Sequence, residues 1–522
     1  SYNNVFGEDH IVNLFGGMET NAVNREKTWF NGVGMQYEMG MLPSYDYLYF
    51  KQGNEENAGY YSVDRTRQRE VSFFGTGTYS YKGRYTLNGT VRYEGSNKLG
   101  KSRKARWLPT WNVSAAWNAH EEEFWQSFRD VVSNMTLKAS YSLTADRGPA
   151  SVSNSKAIIN SYNTWRPFTS VKESGLSLSS VENSELTYEK KHELNIGAEI
   201  GFIDNRINIE ADWYTRNNFD LIGLIYTKGT GGQLAKFANV ASMKSSGVEF
   251  TVSTRNIKTK DFSWNTDFIF SHTKNEVTDL QSNASVMDMI SGNGFAMEGY
   301  PVRALFSMDF QGLNENGYPT FINEKGQLTV SDINFQEQLK KDHLVYEGPT
   351  DPTMTGSLGN IFRYKGFTLN AFITYSFGNV IRLDPVFHNV YSDLDAMPRE
   401  FINRWTTGGD EKVTNVPVIA DKRANQQDPY LSYAYNAYNY STERIAKGDF
   451  IRMKELSLSY NFPKKMISRL KVNDLSLKIQ ATNLFLIYSD KKLNGQDPEF
   501  FNTGGVASPV PRQFTLTLRL GI

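Results

Sequence analysis

The stretch YTLNGTVRY, residues 85–93, decides the fold class because its apolar and polar side chains alternate. Successive side chains of a β-strand point to opposite faces, so Tyr85, Leu87 and Val91 share one face while Asn88 and Arg92 share the other. The same alternation recurs in segments that begin near residues 132, 186, 205, 366 and 511. Segments of about ten residues with this period are typical of the walls of outer-membrane β-barrels.

A soluble antiparallel sheet with one solvated face shows the same alternation, but three features favour a membrane wall. The segments exceed the ~5–6 residues usual in soluble strands and reach the ~9–11 residues needed to cross a bilayer at a tilt. Aromatic residues cluster at strand ends, as at Trp111 with Trp117 and Tyr460 with Phe462, which is typical of interfacial girdles. Short turns also alternate with long polar links.

The composition agrees with a wall of this kind. The 522 residues include 56 basic and 56 acidic side chains, and the zero net charge argues against nucleic acid as the main partner. The absence of cysteine excludes disulfides and thiol chemistry. No apolar run approaches the ~18 residues of a membrane helix, and the mean hydropathy of −0.50 suits alternating lipid-facing and lumen-facing positions. The chain opens without a signal peptide, so we expect a mature chain or a fragment of a secreted protein.

The pattern predicts an all-β chain, a transmembrane antiparallel β-barrel portion over residues 1–522 with about fourteen wall strands. We expect these strands to begin near residues 8, 68, 84, 108, 132, 186, 205, 244, 260, 352, 366, 448, 472 and 511. Short turns are predicted at 81–84, 203–206, 255–261 and 364–366, and brief helices at 121–129 and 464–470. Long outer links are predicted at about 25–67, 95–107, 146–185, 217–243, 278–351, 381–447 and 489–509. The extended segment 301–312 is assigned to a hairpin inside an outer link, because a single wall strand there would break the up–down parity.

The order of several motifs resembles the C-terminal part of SusC-like TonB-dependent transporters. The matching segments are RYTLNGTVRYEGSNKLG (84–100), LPTWNVSAAWNAHEEEFW (108–125), SSGVEFTV (245–252), EGYPVRALFSMDFQGL (298–313), FIRMKELSLSYNFPKKM (450–466), IQATNLFLIYSDKKLNGQDPEF (479–500) and PVPRQFTLTLRLGI (509–522). Two departures are NENGYPTFINEKGQ after Leu313, where the family often carries an acidic metal-loop pattern, and Ile522 in place of a terminal Phe.

The resemblance implies a 22-stranded barrel, of which this chain would supply the last fourteen strands. It also implies an N-terminal plug and barrel portion outside this chain, and a place in the outer membrane of a Gram-negative bacterium. The implied activity is uptake of oligosaccharides or peptides with a SusD-like surface lipoprotein, energised through TonB.

The sequence offers little catalytic chemistry, and we predict that the chain is not an enzyme. The six histidines form no H-E-x-x-H or H-x-H pair, and GTGGQ (229–233) lacks the Lys-Ser/Thr of a phosphate-binding loop. Asp490, Asp497 and Glu499 lie in DKKLNGQDPEF, but their spacing does not match an EF-hand, so a structural turn is favoured over calcium binding. We expect no cofactor and no bound metal.

Aromatic residues with interleaved amides in the outer links are the candidate solute-binding or lid-contacting residues. Aromatic faces stack on sugars and pack on peptide side chains, and asparagine both donates and accepts hydrogen bonds. Loop packing would use the same residue types. The candidates are Tyr162, Trp165, Phe168, Tyr433, Tyr435, Asn436, Tyr438, Asn439 and Tyr440, and a further cluster comprises Tyr45, Tyr47 and Tyr49.

Three alternatives to an active importer stay open on the sequence. The first is a passive substrate-specific channel. The second is a soluble all-β carbohydrate-binding or enzymatic scaffold, which predicts blade-length repeats that the sequence does not show. The third is a barrel enzyme, disfavoured by the missing catalytic constellation. The sequence does not distinguish a glycan from a peptide solute.

Overall fold

The structure is a computed structural model whose described residues cover most of the chain. The described ranges are 1–31, 35–36, 42–43, 47–48, 51–52, 61–148, 157–163, 173–226, 235–281, 284–291, 294–392, 394, 397–468, 472–500 and 511–521.

The described residues form one large antiparallel sheet whose fifteen strands are ordered as they are in the chain. Its strands are β1 Tyr2–Phe6, β2 His10–Phe30, β3 Tyr61–Tyr81, β4 Tyr85–Ser96, β5 Trp107–Asn118, β6 Val132–Asp146, β7 Glu189–Phe202, β8 Ile207–Tyr226, β9 Ala235–Lys258, β10 Phe262–Leu280, β11 Met354–Tyr364, β12 Phe367–Phe377, β13 Phe450–Asn461, β14 Asp474–Ser489 and β15 Gln513–Gly521. An up-and-down order of this kind is typical of a barrel wall. Fourteen of these strands correspond to the predicted ones, and the additional strand is β1.

The apolar residues of the alternating strands lie on the more exposed face of the sheet. In β4 the side chains of Leu87 and Val91 are 52% and 54% exposed, whereas Asn88 and Arg92 on the opposite face are less exposed. In β15 Leu516 and Leu518 are also strongly exposed. A soluble sheet would bury this face against a second layer. The exposed apolar face therefore agrees with lipid contact and not with a stacked-sheet core.

Several strands extend further into the outer links than the alternation predicts. β2 and β3 pair residue by residue from His10 with Tyr81 to Phe30 with Tyr61, so the predicted link 25–67 is shortened at both ends. The predicted link 217–243 is likewise shorter in the structure, because β8 continues to Tyr226 and β9 begins at Ala235. In the β3 extension the residues RTR (65–67) are polar on both faces and so carry no amphipathic signal. The β8 extension, NNFDLIGLIY (217–226), has apolar residues on both faces and so does not show the alternation either.

The remaining strands are short and lie outside the large sheet. They pair as Met35–Gln36 with Leu42–Pro43, Ile158–Asn163 with Ser174–Ser180, Ala304–Met308 with Leu344–Pro349, and Val380–Arg382 with Ile445–Lys447. In a three-stranded sheet Pro319–Ile322 lies between Phe310–Leu313 and Leu328–Thr329. The segment 301–312 thus lies outside the large sheet, as predicted. Phe310–Leu313 forms a hairpin with Pro319–Ile322, whereas Ala304–Met308 pairs with the more distant Leu344–Pro349.

The helices are also short and lie in the links. They are α1 Arg103–Arg106, α2 Val286–Ile290, α3 Lys422–Gln427, α4 Leu431–Asn439 and α5 Lys464–Ile467. Short 3₁₀ segments occupy Ala119–Glu121, Glu123–Ser127, Arg399–Asn403, Asp410–Lys412, Thr442–Arg444, Lys491–Leu493 and Pro498–Phe500. Two helical links were predicted, and both occur: one as the 3₁₀ segments between β5 and β6, the other as α5. Among the described residues, no helix has the length and apolar character to cross a membrane.

The chain divides into two compact units, which are described separately. The first comprises Ser1–Ala115, Ser140–Glu193 and Asn218–Ser242, and the second comprises Ala116–Ala139, Leu194–Asn217 and Met243–Ile522. The second unit contains the two longest links, 281–353 and 378–449. They pack together around one hydrophobic core, and we call this folded part the loop domain.

Candidate functional site

The loop domain has an interior of its own, so its links are not irregular coils. Both links contribute to the interior, as expected for a folded subdomain with a shared core. Its buried residues are Val286, Ile290, Met308, Phe321, Ile333, Phe387, Phe401, Ala420, Leu431, Ala434, Tyr435, Ala437 and Tyr438. The candidate aromatic residues of 433–440 therefore lie on an element whose inner face is core.

Three of the predicted site residues are buried in this core. Tyr435 donates a hydrogen bond from its hydroxyl to the Val418 carbonyl at 2.5 Å. The Tyr438 ring packs edge-on against Phe387, with 4.9 Å between ring centroids. The Asn439 amide donates to the Phe387 carbonyl at 2.8 Å and its oxygen accepts from the Phe387 N–H at 3.0 Å. These contacts leave none of the three side chains free to meet a solute in this conformation.

Burial also changes the acidity of the two tyrosines. Desolvation is the largest cause that raises the pKa of Tyr435 and Tyr438 above the ordinary value of a tyrosine. Both hydroxyls therefore stay neutral at physiological pH. The buried rings of both tyrosines, and the hydrogen bond of the Tyr435 hydroxyl, indicate a structural role.

The other residues of this cluster are more accessible. Tyr433 is 42% exposed, and its ring packs edge-on against Tyr430 at 5.7 Å and Phe335 at 5.8 Å. Asn436 and Tyr440 are half-buried. The structure thus leaves Tyr433, with Tyr430 beside it, as the exposed aromatic surface of this helix.

The remaining candidates lie in the first unit and in the link 147–188. Tyr162 is exposed in the hairpin strand Ile158–Asn163 and lies opposite Gly175. Trp165 and Phe168 lie outside the described residues. In the third cluster Tyr47 is described and exposed, whereas Tyr45 and Tyr49 are not described.

Two buried arginines hold the loop domain together. Arg382 donates to the Phe306 carbonyl at 2.5 Å and to the Ser307 hydroxyl at 3.2 Å. Arg444 pairs with Glu400 at 2.5 Å and stacks over Phe387 at 4.8 Å. A buried guanidinium left without its partners is costly, so these contacts fix the relative positions of the segments that they join.

Burial is the main cause of two pKa shifts beside Arg382. It lowers the pKa of Arg382 to about 10 and raises the pKa of Glu347, which faces it. The Ser307 hydroxyl and the charges of Arg382 and Lys492 oppose the rise at Glu347. For both groups the effect of lost hydration on the pKa is therefore larger than the opposing effect of neighbouring charges and hydrogen bonds.

The three acidic residues near the end of β14 are bound by a buried arginine or by backbone N–H groups. Arg452, which is 3% exposed, pairs with Asp497 at 2.5 Å and with Glu499 at 2.8 Å. Asp490 accepts from the N–H groups of Lys447 at 2.8 Å and Lys492 at 2.9 Å. The structural turn favoured by the sequence accounts for all three carboxylates. Among the described residues there is no cluster of three histidines or carboxylates able to hold a metal.

His192 belongs to an aromatic cluster on the apolar face of the first unit. Its ring stacks on Tyr141 at 5.7 Å and on Phe219 at 5.5 Å, and Trp111 lies at 6.4 Å. Aromatic residues on a lipid-facing surface are typical of the interfacial girdle. The cluster suits an interfacial histidine.

A polar pocket of about 530 Å³ lies in the first unit, where β4 and β6 end. Two arginines form ion pairs along it: Arg92 with Glu94 at 2.8 Å and Glu19 at 2.9 Å, and Arg147 with Glu70 at 2.7 Å and Glu94 at 3.4 Å. Gln68, Lys98, Thr110, Thr144 and Asp146 also line it. We call this the polar pocket.

Sequence reasoning did not single out the polar pocket, although part of its signal was present. Arg92 and Glu94 follow the alternation of β4 onto the polar face, so their sidedness could be predicted. Arg147 and Lys98 lie just beyond strand ends, where the period stops. Their approach to one another depends on strand pairing between segments far apart in the chain.

The comparisons with known proteins agree with this architecture. Residues 2–396 match the family described as TonB dependent receptor-like, beta-barrel. The chain is 24% identical over 520 residues to TonB-dependent receptor P3 of Formosa agariphila, covering 96% of this chain and 48% of that protein. It is 26% identical over 479 residues to TonB-dependent receptor SusC of Bacteroides thetaiotaomicron, covering 88% and 44% respectively. The chain thus spans about half the length of the curated relatives it matches.

Solved structures support the same fold. The structure of the RagAB peptide transporter matches with a TM-score of 0.76 at 19% identity, covering 99% of this chain and 54% of that one. The open-open state of the RagAB peptide importer matches with a TM-score of 0.77 over 100% of this chain and 54% of that one, also at 19% identity. The SusC-like resemblance seen in the motifs is confirmed, and the chain belongs to the TonB-dependent receptor-like β-barrel family of the bacterial outer membrane.

Proposed function

We propose that this chain forms part of the barrel of an active importer that takes up oligosaccharides or peptides across the outer membrane. One observation carries the proposal: nearly the whole chain matches SusC in order. The sheet has the required two faces, one apolar and exposed and one polar. The second face offers a water-compatible path for a hydrophilic solute.

The proposed mechanism assigns separate tasks to the parts of the complete protein. A SusD-like surface lipoprotein and the outer links capture the solute. The N-terminal plug and barrel portion completes and blocks the lumen. Pulling by TonB remodels the plug, and the solute passes along the polar face into the periplasm.

The loop domain supports the proposed capture step. Its core and its buried arginines hold the links in one conformation, so its outer surface is preorganised for a partner. Tyr433 and Tyr430 present exposed aromatic rings on this domain, and tyrosine is enriched at protein interfaces. We propose that these rings contact the lipoprotein or the solute.

Uptake by cells tests active import. A strain that lacks the full-length gene is complemented with it, and accumulation of labelled oligosaccharides and peptides is measured. An active importer accumulates its solute only with TonB and an energised inner membrane. Accumulation that persists without TonB and after a protonophore would instead identify a passive channel.

Co-purification tests the contact assigned to Tyr433. The substitution Tyr433→Ala in the full-length protein is expected to weaken recovery of the lipoprotein or binding of the solute. Tyr364→Ala is the matched control, because Tyr364 is also an exposed tyrosine and lies at the short-turn end of β11. If both variants behave like the parent, the exposed ring of Tyr433 has no part in capture.

A further inference from the structure

We propose that a row of three arginines on β3 binds the phosphate groups of the glycolipid that forms the outer leaflet of the membrane. Arg65, Arg67 and Arg69 are exposed and occupy alternate positions of the strand, so their side chains lie on one face of the sheet. We call these three residues the arginine row. The family match assigns no lipid to this surface, and the inference holds whichever solute the transporter carries.

The arginine row shares its face with the lipid-facing side chains of the same strand. β2 and β3 pair without a register shift along their whole length, so the alternation of β3 is continuous. Phe73 and Tyr79 follow at alternate positions on the same face and are 46% and 40% exposed. Tyr79 lies opposite Leu87 of β4, which belongs to the apolar exposed face. The arginines therefore lie on the lipid side of the wall and not on its polar side.

An aromatic girdle marks the level of the membrane at which the arginine row begins. Phe73 of β3 lies opposite Tyr93 of β4, and the Tyr93 ring stacks on Trp107 of β5 with 5.1 Å between ring centroids. Aromatic residues in such a position are typical of the boundary between hydrocarbon and headgroups. Arg69 lies four positions beyond Phe73 toward the outer links, roughly 13 Å along the strand. The row thus begins just outside the hydrocarbon.

The distance from the short-turn end agrees with this level. Tyr81 ends β3 at a short turn, which is the periplasmic side of such barrels. Arg69 lies twelve positions before Tyr81, and at ~3.3 Å per residue and a tilt of ~40° this corresponds to about 30 Å of height. The hydrocarbon core is itself ~30 Å thick. Arg69 and Arg67 therefore lie in the outer headgroup layer.

The charge of the arginine row is only partly compensated. Arg65 forms an exposed ion pair with Glu26 at 2.8 Å. The Arg69 guanidinium donates to the Asn24 amide oxygen at 2.8 Å and to two backbone carbonyls, all of which are neutral acceptors. Arg67 lies opposite Asn24 and forms no ion pair with any residue that the structure describes. This face of the hairpin therefore carries an excess of positive charge.

Phosphate is the group that this surface fits best. A guanidinium donates two parallel hydrogen bonds to a phosphate, and alternate residues of a strand are ~6.6 Å apart, so Arg67 and Arg69 can contact one headgroup together. A zwitterionic headgroup would bring an ammonium group next to the arginines. The phosphorylated disaccharide of lipid A, the glycolipid of the outer leaflet, brings negative charge alone. Charge complementarity therefore favours lipid A as the occupant.

Native mass spectrometry of the purified full-length transporter in neutral detergent tests the proposal. The probes are bisphosphorylated lipid A, the same lipid A after chemical removal of its phosphates, and inorganic phosphate. We expect bisphosphorylated lipid A to bind about tenfold or more tightly than the dephosphorylated lipid, because each exposed charged contact contributes roughly threefold. Inorganic phosphate should displace lipid A no better than sodium chloride of equal ionic strength does.

Paired variants locate the site. Arg67→Gln with Arg69→Gln should weaken the binding of bisphosphorylated lipid A about tenfold and leave the dephosphorylated lipid unaffected. Arg25→Gln with Lys27→Gln is the matched control, because these exposed residues lie opposite Thr66 and Asp64, at the same height on the other face of the hairpin. The control removes the same charge and should leave lipid A binding unchanged.

A single variant keeps the test independent of folding. Arg69 is hydrogen-bonded to β2, whereas Arg67 forms no ion pair with the described residues, so Arg67→Gln should melt like the parent and still weaken lipid A binding about threefold. Equal binding of lipid A with and without its phosphates would overturn the proposal, and so would equal losses in the row pair and the control pair. Displacement of lipid A by inorganic phosphate beyond the effect of chloride would identify a site for free anions instead.

Discussion

Leu516 and Ile479 lie directly opposite each other on β15 and β14, and each side chain is more than half exposed. Ile479 in turn lies opposite Leu458 of β13, so three apolar side chains form a row across neighbouring strands. A row of exposed apolar side chains is unfavourable in contact with water. In an outer-membrane protein the lipid covers such a row.

This row predicts a strong asymmetry between adjacent residues. Replacing Leu516 or Leu458 by Arg near the midplane should lower the free energy of unfolding in lipid by ~2–4 kcal/mol. Thr515→Arg is the matched control, since Thr515 lies on the other face, opposite Gln480. Equilibrium unfolding in lipid vesicles measures the free energy of unfolding of each variant. Equal losses in the two variants would contradict the assignment of the faces.

The sequence predicted the wall well because its signal is local. The alternation in YTLNGTVRY and in the last strand depends on neighbouring residues and on one large solvent boundary, the lipid. The same argument fails in part of β3, RTRQRE (65–70), where both faces are polar and the pairing depends on the partner strand β2.

The aromatic residues of α4 show where a second periodicity was missed. Leu431, Ala434, Tyr435 and Tyr438 are spaced i, i+3, i+4 and i+7, the pattern of one helix face. All four are buried, while Tyr433 on the same helix is exposed. The spacing could have separated core from surface tyrosines. The contacts of the helix with Phe387 and Val418 could not be predicted, because they join distant parts of the chain.

The loop domain should respond differently to changes in these two classes of tyrosine. Tyr438→Ala removes a fully buried ring and should destabilise the loop domain by ~3–5 kcal/mol, as large-to-small core substitutions of aromatic residues do. Tyr433→Ala should change its stability by less than about 1 kcal/mol, because an exposed residue loses few contacts. Amide hydrogen exchange in Ala304–Met308 and Leu344–Pro349 measures the difference. Equal protection of the two variants would show that Tyr438 does not stabilise this core.

The contacts of Arg452 predict that calcium has no effect at the end of β14. Asp497 and Glu499 already bind this buried arginine, so chelation by EDTA should leave the melting temperature of the full-length protein unchanged. Asp497→Asn should lower stability by ~3–5 kcal/mol, the usual cost when a buried charge loses a partner. Asp490→Asn is the comparison, because that carboxylate accepts only from backbone N–H groups in its described hydrogen bonds. A calcium-dependent rise in melting temperature would refute the structural assignment.

The pair of Glu347 and Arg382 predicts a pH dependence of the loop domain. Burial raises the pKa of Glu347 in the folded state, so folding favours its protonated form. The corresponding stability is fully present below the carboxyl's unfolded pKa and is lost as the pH rises through the higher folded pKa. The backbone amides of the paired strands Ala304–Met308 and Leu344–Pro349 should therefore exchange more slowly, relative to intrinsic rates, at about pH 4 than at about pH 8.

The substitution Glu347→Gln isolates the pH-dependent contribution of this carboxyl to stability. Glu347→Gln keeps the shape of the protonated side chain, so the ratio of its protection to that of the parent should rise as the pH increases. Glu315→Gln in an exposed turn is the control, and its ratio to the parent should stay constant. Arg382 keeps its charge over this range, since burial lowers its pKa only to about 10. If the Glu347→Gln ratio does not change with pH, the carboxyl does not titrate with a raised pKa.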